Sequence, residues 1–299
     1  MTATTTLKLL ALTATLGLLL VCGRQPQSYE ELAAAGKKAY EQEDWTGACR
    51  YLSKALAEKP SDRDVLFMLG DAYFNDLMYD SAAVYLTRAD LLHPMDRQIL
   101  DKMRQACLRV RDWEKARKAM KDLVKLGDSE ERYLPDLASA SLSLGDFPWA
   151  HYYFRKLLYR EPDRENWYIQ VANTAAELGS LQVSIAVVDS AIAEFGATDE
   201  LLLNKGTYLA ADFRFEESER ILRGLVVKDS TELQFLQNLA NSLALQPERS
   251  KKLEAYGVYR IIAPRAPWEL RVDSILAALE RELNIDPDTI NADTATRIF

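Results

Sequence analysis

An all-α stack of helical hairpins is predicted by three observations. Apolar and small residues recur at i, i+3, i+4 and i+7, which is one face of a helix. Polar breaks and prolines cut these stripes into short lengths. The pattern returns every 34 residues, in phase and without insertion. Residues 63–96 carry it most clearly. Leu66, Leu69, Gly70 and Tyr73 make one stripe, Asn75 and Asp76 interrupt it, and Tyr79, Ala82, Leu86 and Ala89 make a second before Pro94. Proline lacks the amide proton that a helix interior needs, so the second helix ends there. Neither helix can bury its stripe alone, and the hairpin therefore requires neighbours.

The copies follow in chain order. Residues 29–62 place Leu32, Ala35, Gly36, Trp45, Ala48, Leu52, Ala55 and Pro60 in the same slots. Residues 97–130 supply Leu100, Met103, Cys107, Trp113, Ala116, Met120 and Leu123. Residues 131–164 supply Leu134, Leu137, Ala138, Gly145, Phe147, Ala150, Phe154, Leu157 and Pro162. Residues 165–198 give Tyr168, Val171, Ala172, Gly179, Ser184, Val188 and Ala191. Residues 199–232 give Leu202, Gly206, Leu209, Phe215, Ser218, Leu222 and Leu225. A weaker copy, 233–264, keeps Leu236, Leu239, Ala240 and Leu243, and its second half drifts from the pattern. No Pro/Gly/Ser-rich tract separates the copies, so one uninterrupted array is expected over 29–264. Residues 265–283 are expected as a capping helix running from Trp268, with Val272, Ile275, Leu276, Leu279 and Leu283 on one stripe and Glu269, Arg271, Glu280 and Arg281 opposite. Residues 284–299 form a polar tail.

This stride, with small residues at Gly70, Ala82 and Ala89 where the two helices approach, resembles the tetratricopeptide repeat. The resemblance implies a right-handed superhelix, an α-solenoid of about seven helix–turn–helix repeats plus the cap. It also implies that the first helix of each repeat lines a concave groove, mainly through slots 2, 5, 6, 9 and 12 of the repeat. Those slots divide into two zones. Near the N-terminus they hold Tyr40, Phe67, Met68 and Phe74, with Lys37 and Asp71. Further along they hold Asn166, Gln170, Asn173, Asn204, Gln234, Asn238 and Asn241. A row of primary amides offers donors and acceptors together and suits an extended peptide backbone. It equally suits a merely soluble inner face. The aromatic zone reads either as a pocket for an apolar segment or as packing between successive helices. The family's two-carboxylate clamp is not matched: Asn173 and Asn204 fit it, but Ile169, Gln234 and Asn238 stand where cations are needed.

Composition bounds the function. A net charge of −8 and a pI near 5.1 argue against a general nucleic-acid binder. Residues 97–130 run the other way, with ten Lys/Arg against six Asp/Glu. They read as a solvated outer face or as a patch for an acidic partner. Trp149, Tyr152 and Tyr153 crowd one helix, either as an interface or as filling between repeats.

The N-terminus reads as an address. Residues 1–21 carry one charge, Lys8, followed by an apolar run too short for a comfortable membrane span. The run ends in Leu19-Leu20-Val21-Cys22-Gly23, which resembles a bacterial lipoprotein signal. The resemblance implies cleavage before Cys22, lipidation of Cys22, a short spacer over 22–28, and retention at the outer membrane. Val21 departs from the small residue usual before that cysteine. Cleavage after Gly23, or an uncleaved anchor, are the other readings. Cys49 and Cys107 fall two repeats apart, which suits small buried hydrophobes better than a disulfide.

No nucleophile elbow, phosphate loop or metal-ligand spacing occurs, and the two histidines, His93 and His151, are far apart. The reading is therefore a non-enzymatic scaffold or adaptor with no cofactor, no metal, no nucleic acid and no small-molecule substrate. It is held by lipid at a bacterial envelope membrane and grips a segment of another envelope protein, in an assembly or pilotin-like role. The alternative is a structural subunit of a large envelope complex, bound through its convex or end surfaces.

Overall fold

A computed structural model describes residues 28–285. Those residues contain fifteen α-helices and no strand. They fall into two compact units that divide between Tyr133 and Leu134. In the first unit α1 (Tyr29–Glu41) pairs with α2 (Trp45–Glu58), α3 (Arg63–Asn75) with α4 (Tyr79–Leu92), and α5 (Arg97–Arg109) with α6 (Trp113–Lys125). In the second, α7 (Leu134–Ser143) pairs with α8 (Phe147–Arg160), α9 (Glu165–Glu177) with α10 (Leu181–Phe195), α11 (Asp199–Ala211) with α12 (Phe215–Lys228), and α13 (Leu233–Ala244) with α14 (Arg249–Ile262). A last helix, α15 (Val272–Leu283), packs on α14.

In five of the seven repeats the first helix starts where its sequence supplies an acceptor for the unpaired amides of its first turn. Ser28, Asp62, Asp96, Thr198 and Glu232 occupy the same slot of different repeats and accept from backbone N–H groups of α1, α3, α5, α11 and α13. Three of them also reach back to the start of the preceding repeat. The Tyr29 hydroxyl donates to Asp62 at 2.5 Å, Arg63 pairs with Asp96, and Thr198 donates to Glu165 at 2.7 Å. One side chain thus caps a helix and fixes the spacing to its predecessor.

The turn inside each of the first six hairpins is equally regular. Glu43, Leu77, Arg111, Gly145, Gly179 and Phe213 all have positive φ. The following residue donates its N–H back into the last turn, as in Asp44 to Ala39 at 2.9 Å and Arg214 to Leu209 at 2.8 Å. This is the Schellman closure, which needs a left-handed residue. Only two of those six positions hold glycine, the residue that adopts this conformation without strain. Between the helices of a pair the approach is close. Leu52, Leu86 and Leu222 are fully buried against Gly36, Gly70 and Gly206. A Cβ at Gly70 would lie 2.7 Å from Leu86 Cγ.

The two compact units meet beside a shortened helix. Residues 130–133 form a 3-10 turn and α7 begins only at Leu134. Pro135 explains this, because it restricts the residue before it and cannot extend a helix towards its N-terminus beyond the first turn. The capping helix is also shorter than expected. Trp268–Leu270 is a separate 3-10 turn with Trp268 exposed, and Arg271 at φ +48° breaks it from α15. Val272, Leu279 and Leu283 of α15 are buried with Tyr256, Tyr259 and Ile262 of α14.

No described helix is long and apolar enough to cross a membrane. Cys22, the signal-like segment and most of the 284–299 tail lie outside the described residues.

Candidate binding groove

In the first unit, the side chains expected to line a groove are drawn into packing and a polar relay. Tyr40 of α1 donates to Asp71 of α3, which is almost fully buried. Lys102 of α5 places its ammonium 2.6 Å from the other Asp71 oxygen. Three successive inner helices are thereby joined by one charged, hydrogen-bonded chain. Burial, then the bond to Asp71, pushes the Tyr40 hydroxyl well above its usual range, so it stays a donor. Phe67 and Met68 are partly buried against the unit's core. Phe74 stands edge-on to Tyr79 at 5.3 Å, with the Lys102 ammonium also 5.3 Å from its ring. The ring face holds a cation from within the chain.

In the second unit the inner helices α9, α11 and α13 enclose an open cavity of about 530 Å³. Ile169, Leu203 and Phe235 form a buried apolar floor. Gln170, Asn173, Asn204 and Gln234 line it as amides, and Asp199, Glu200 and Glu232 as carboxylates. The amides are oriented by bonds within the fold. Asn204 donates to the Glu200 carbonyl at 2.9 Å, and Asn238 to the Gln234 carbonyl at 2.9 Å. Asn238 Oδ1 also accepts from Thr207 at 3.0 Å. Asn173 and Asn241 accept from the hydroxyls of Tyr208 and Tyr259. Gln170 lies 3.4 Å from Asn166. The amides are therefore tied in part to their own and neighbouring helices, and the carbonyl oxygens of Asn204 and Gln170 are the acceptors that these bonds leave over. Sequence reasoning found the amides but missed the apolar floor and the carboxylates. Glu200 holds the same repeat slot as Asn166 and Gln234, which the sequence reading did name.

The remaining candidates resolve into structure. Cys49 and Cys107 are buried and free. Burial pushes their thiols up to about 11 and about 12. His151 sits 3.0 Å from the Thr174 hydroxyl. On α6, Lys118 pairs with Asp90 and Asp122, Lys125 with Asp122, and Lys115 with Asp112, so much of that helix's positive charge is matched locally. Tyr153 is buried, with Trp149 stacked on it at 5.6 Å and Tyr152 edge-on at 5.2 Å; those two outer rings are half exposed.

No family model matches the sequence, and no curated protein matches it. Solved structures do. A tetratricopeptide repeat protein from Parabacteroides merdae is similar at 15% identity and TM-score 0.47, over 84% of this chain and 98% of that one. YrrB, a tetratricopeptide protein with an unusual peptide-binding site, is similar at 12% identity and TM-score 0.46, over 62% of this chain and 95% of its own. PilF from Pseudomonas aeruginosa is similar at 15% identity and TM-score 0.39, over 71% and 97%. The fold itself rests on the helix pairs, whose caps at Ser28, Asp62, Asp96, Thr198 and Glu232 keep the 34-residue stride or its multiples. The fold is a helical repeat array of the tetratricopeptide kind.

Proposed function

We propose that the chain is a non-enzymatic interaction scaffold that holds an extended segment of another envelope protein on the inner helices of its second unit. The cavity between α9, α11 and α13 carries this reading. It combines a buried apolar floor with amides on three successive helices, the pairing a peptide needs for side chain and backbone together. The lipoprotein-like Cys22 would fix the scaffold at a bacterial envelope membrane, the outer membrane by its Gly23 neighbour, and the short spacer would keep the first repeat near the bilayer. An assembly or pilotin-like role is the expected use.

The test is capture from native membranes. A groove binder enriches one client, and Asn204→Ala with Asn238→Ala lowers its recovery; full recovery with the double variant rejects the groove. Cys22→Ser should move the protein to the soluble fraction. An unprocessed, membrane-bound Cys22→Ser variant would reject the lipid anchor.

The alternative, a structural subunit bound through its outer surface, has one observation in its favour. Val84 and Leu91 lie exposed two turns apart on α4, and Met95 is exposed just after it. Stoichiometric co-purification that ignores the groove substitutions is the outcome this reading expects.

A further inference from the structure

The cavity of the second unit has a charge pattern that backbone recognition by amides does not require. Asp199, Glu200 and Glu232 line it, and no lysine or arginine is among the residues lining it. Asp199 is already held by Lys228, at 2.6 and 2.7 Å. Glu232 is engaged as the cap of α13, accepting from the Gln234 amide at 3.2 Å. The other nearby cations are also engaged: Lys205 pairs with Asp189 at 2.6 Å, and Arg265 bonds the Thr231 carbonyl. Glu200 is exposed, and its carboxylate forms no ion pair among the described residues. The same cavity holds the leftover acceptors of Asn204 and Gln170, because their amide nitrogens are turned to Glu200 and Asn166.

An apolar floor with acceptors above it matches one kind of side chain. A long cationic residue lays its methylene stem along apolar surface and keeps its charged head at the rim. The guanidinium suits this set better than an ammonium, since it presents several donors in a plane to a carboxylate and amide carbonyls together. An acidic side chain would meet three carboxylates and only one internal cation.

We propose that this cavity selects an arginine-bearing extended segment of the partner, with Glu200 as the residue that sets the specificity. The inference rests on the reading that the groove holds an extended segment, and it adds the chemistry of that segment. The probe is a set of fluorescein-labelled peptides of about ten residues, long enough to run about 33 Å when extended. Each has a neutral Ser/Ala/Thr background and one central arginine, lysine, citrulline or glutamate. Binding to the full chain is read by anisotropy at low and at raised salt. The arginine peptide should bind roughly tenfold tighter than its uncharged citrulline counterpart, with the gap narrowing in salt. Glu200→Gln keeps shape and helix position. It should reduce the gap to less than about threefold. Equal binding of arginine and citrulline peptides overturns the inference and leaves the groove standing. A preference that survives in Glu200→Gln overturns the assignment to that carboxylate. Binding of no peptide in the set by a folded chain removes the groove reading, and this inference with it.

Discussion

The Tyr208 hydroxyl donates to Asn173 Oδ1 across 2.5 Å, joining α11 to α9 on the inner side of the second unit. Tyr208 is buried, and burial pushes its hydroxyl far above the usual range, so it remains a donor at any physiological pH. Tyr208→Phe leaves a part-buried amide oxygen without its donor. That should cost about 0.5–2 kcal/mol, read as a shift of the urea midpoint at unchanged slope. No shift would mean that water replaces the hydroxyl freely.

Gly70 lies against Leu86, where an added methyl has no room. Gly70→Ala should destabilise the first unit by about 1–3 kcal/mol despite alanine's better helix propensity. A stability equal to or above the parent, measured by thermal melting, would show that α3 and α4 can move apart.

Leu77 and Phe213 are strongly exposed and have φ of +62° and +59°. A side chain in that region costs about 1–2 kcal/mol relative to glycine, and neither side chain recovers much by burial. Leu77→Gly and Phe213→Gly should therefore raise the melting temperature slightly or leave it unchanged. A clear fall in either variant would reveal packing by these exposed side chains.

The Thr174 hydroxyl lies within hydrogen-bond reach of the Gln170 and Val171 carbonyls and of His151 Nδ1. Burial first, then the nearby Arg155 charge, lowers the ring's pKa from its ordinary 6.5. The folded state therefore binds its proton later than the unfolded chain as pH falls. Stability is full above 6.5 and declines as pH drops from there to the lowered value. Urea midpoints measured across that window should fall in the parent and stay flatter in His151→Phe. A parent midpoint that is level across the window would contradict a half-buried ring that resists protonation.

Ending the chain at Pro264 removes α15 from the core it shares with α14. Val272, Leu279 and Leu283 no longer cover Tyr256, Tyr259 and Ile262. The truncated protein should self-associate, with sedimentation showing species above the monomer. A monodisperse truncated monomer would show that α15 is dispensable as a cap.

The helix pairs were legible because their determinants repeat. Leu66, Leu69, Ala82, Leu86 and Ala89 recur at one stride, and each is buried. The break beside Leu134 was harder to read. One proline, Pro135, occupies a slot whose apolar neighbours Leu134 and Leu137 still fit the pattern. The hairpin turns were only half visible, since the left-handed position carries Glu43, Leu77, Arg111 or Phe213 as readily as glycine. In the second unit, amide composition marked α9, α11 and α13, the helices that line the cavity. Composition could not show which half of each amide its own helix would claim, nor that Ile169, Leu203 and Phe235 would lie beneath it. The Tyr40–Asp71–Lys102 chain joins residues from three repeats, and no local spacing announces it.

Cys49 and Cys107 are enclosed, with thiolate formation suppressed by burial. In a chain that begins after residue 22, they leave the native protein nearly blind to maleimide chemistry. A cysteine introduced at Gln234, exposed at the mouth of the second-unit cavity, would then take a fluorophore selectively with the endogenous thiols left in place. Occupancy of the trough becomes a quantity that can be followed in real time, in solution or on vesicles.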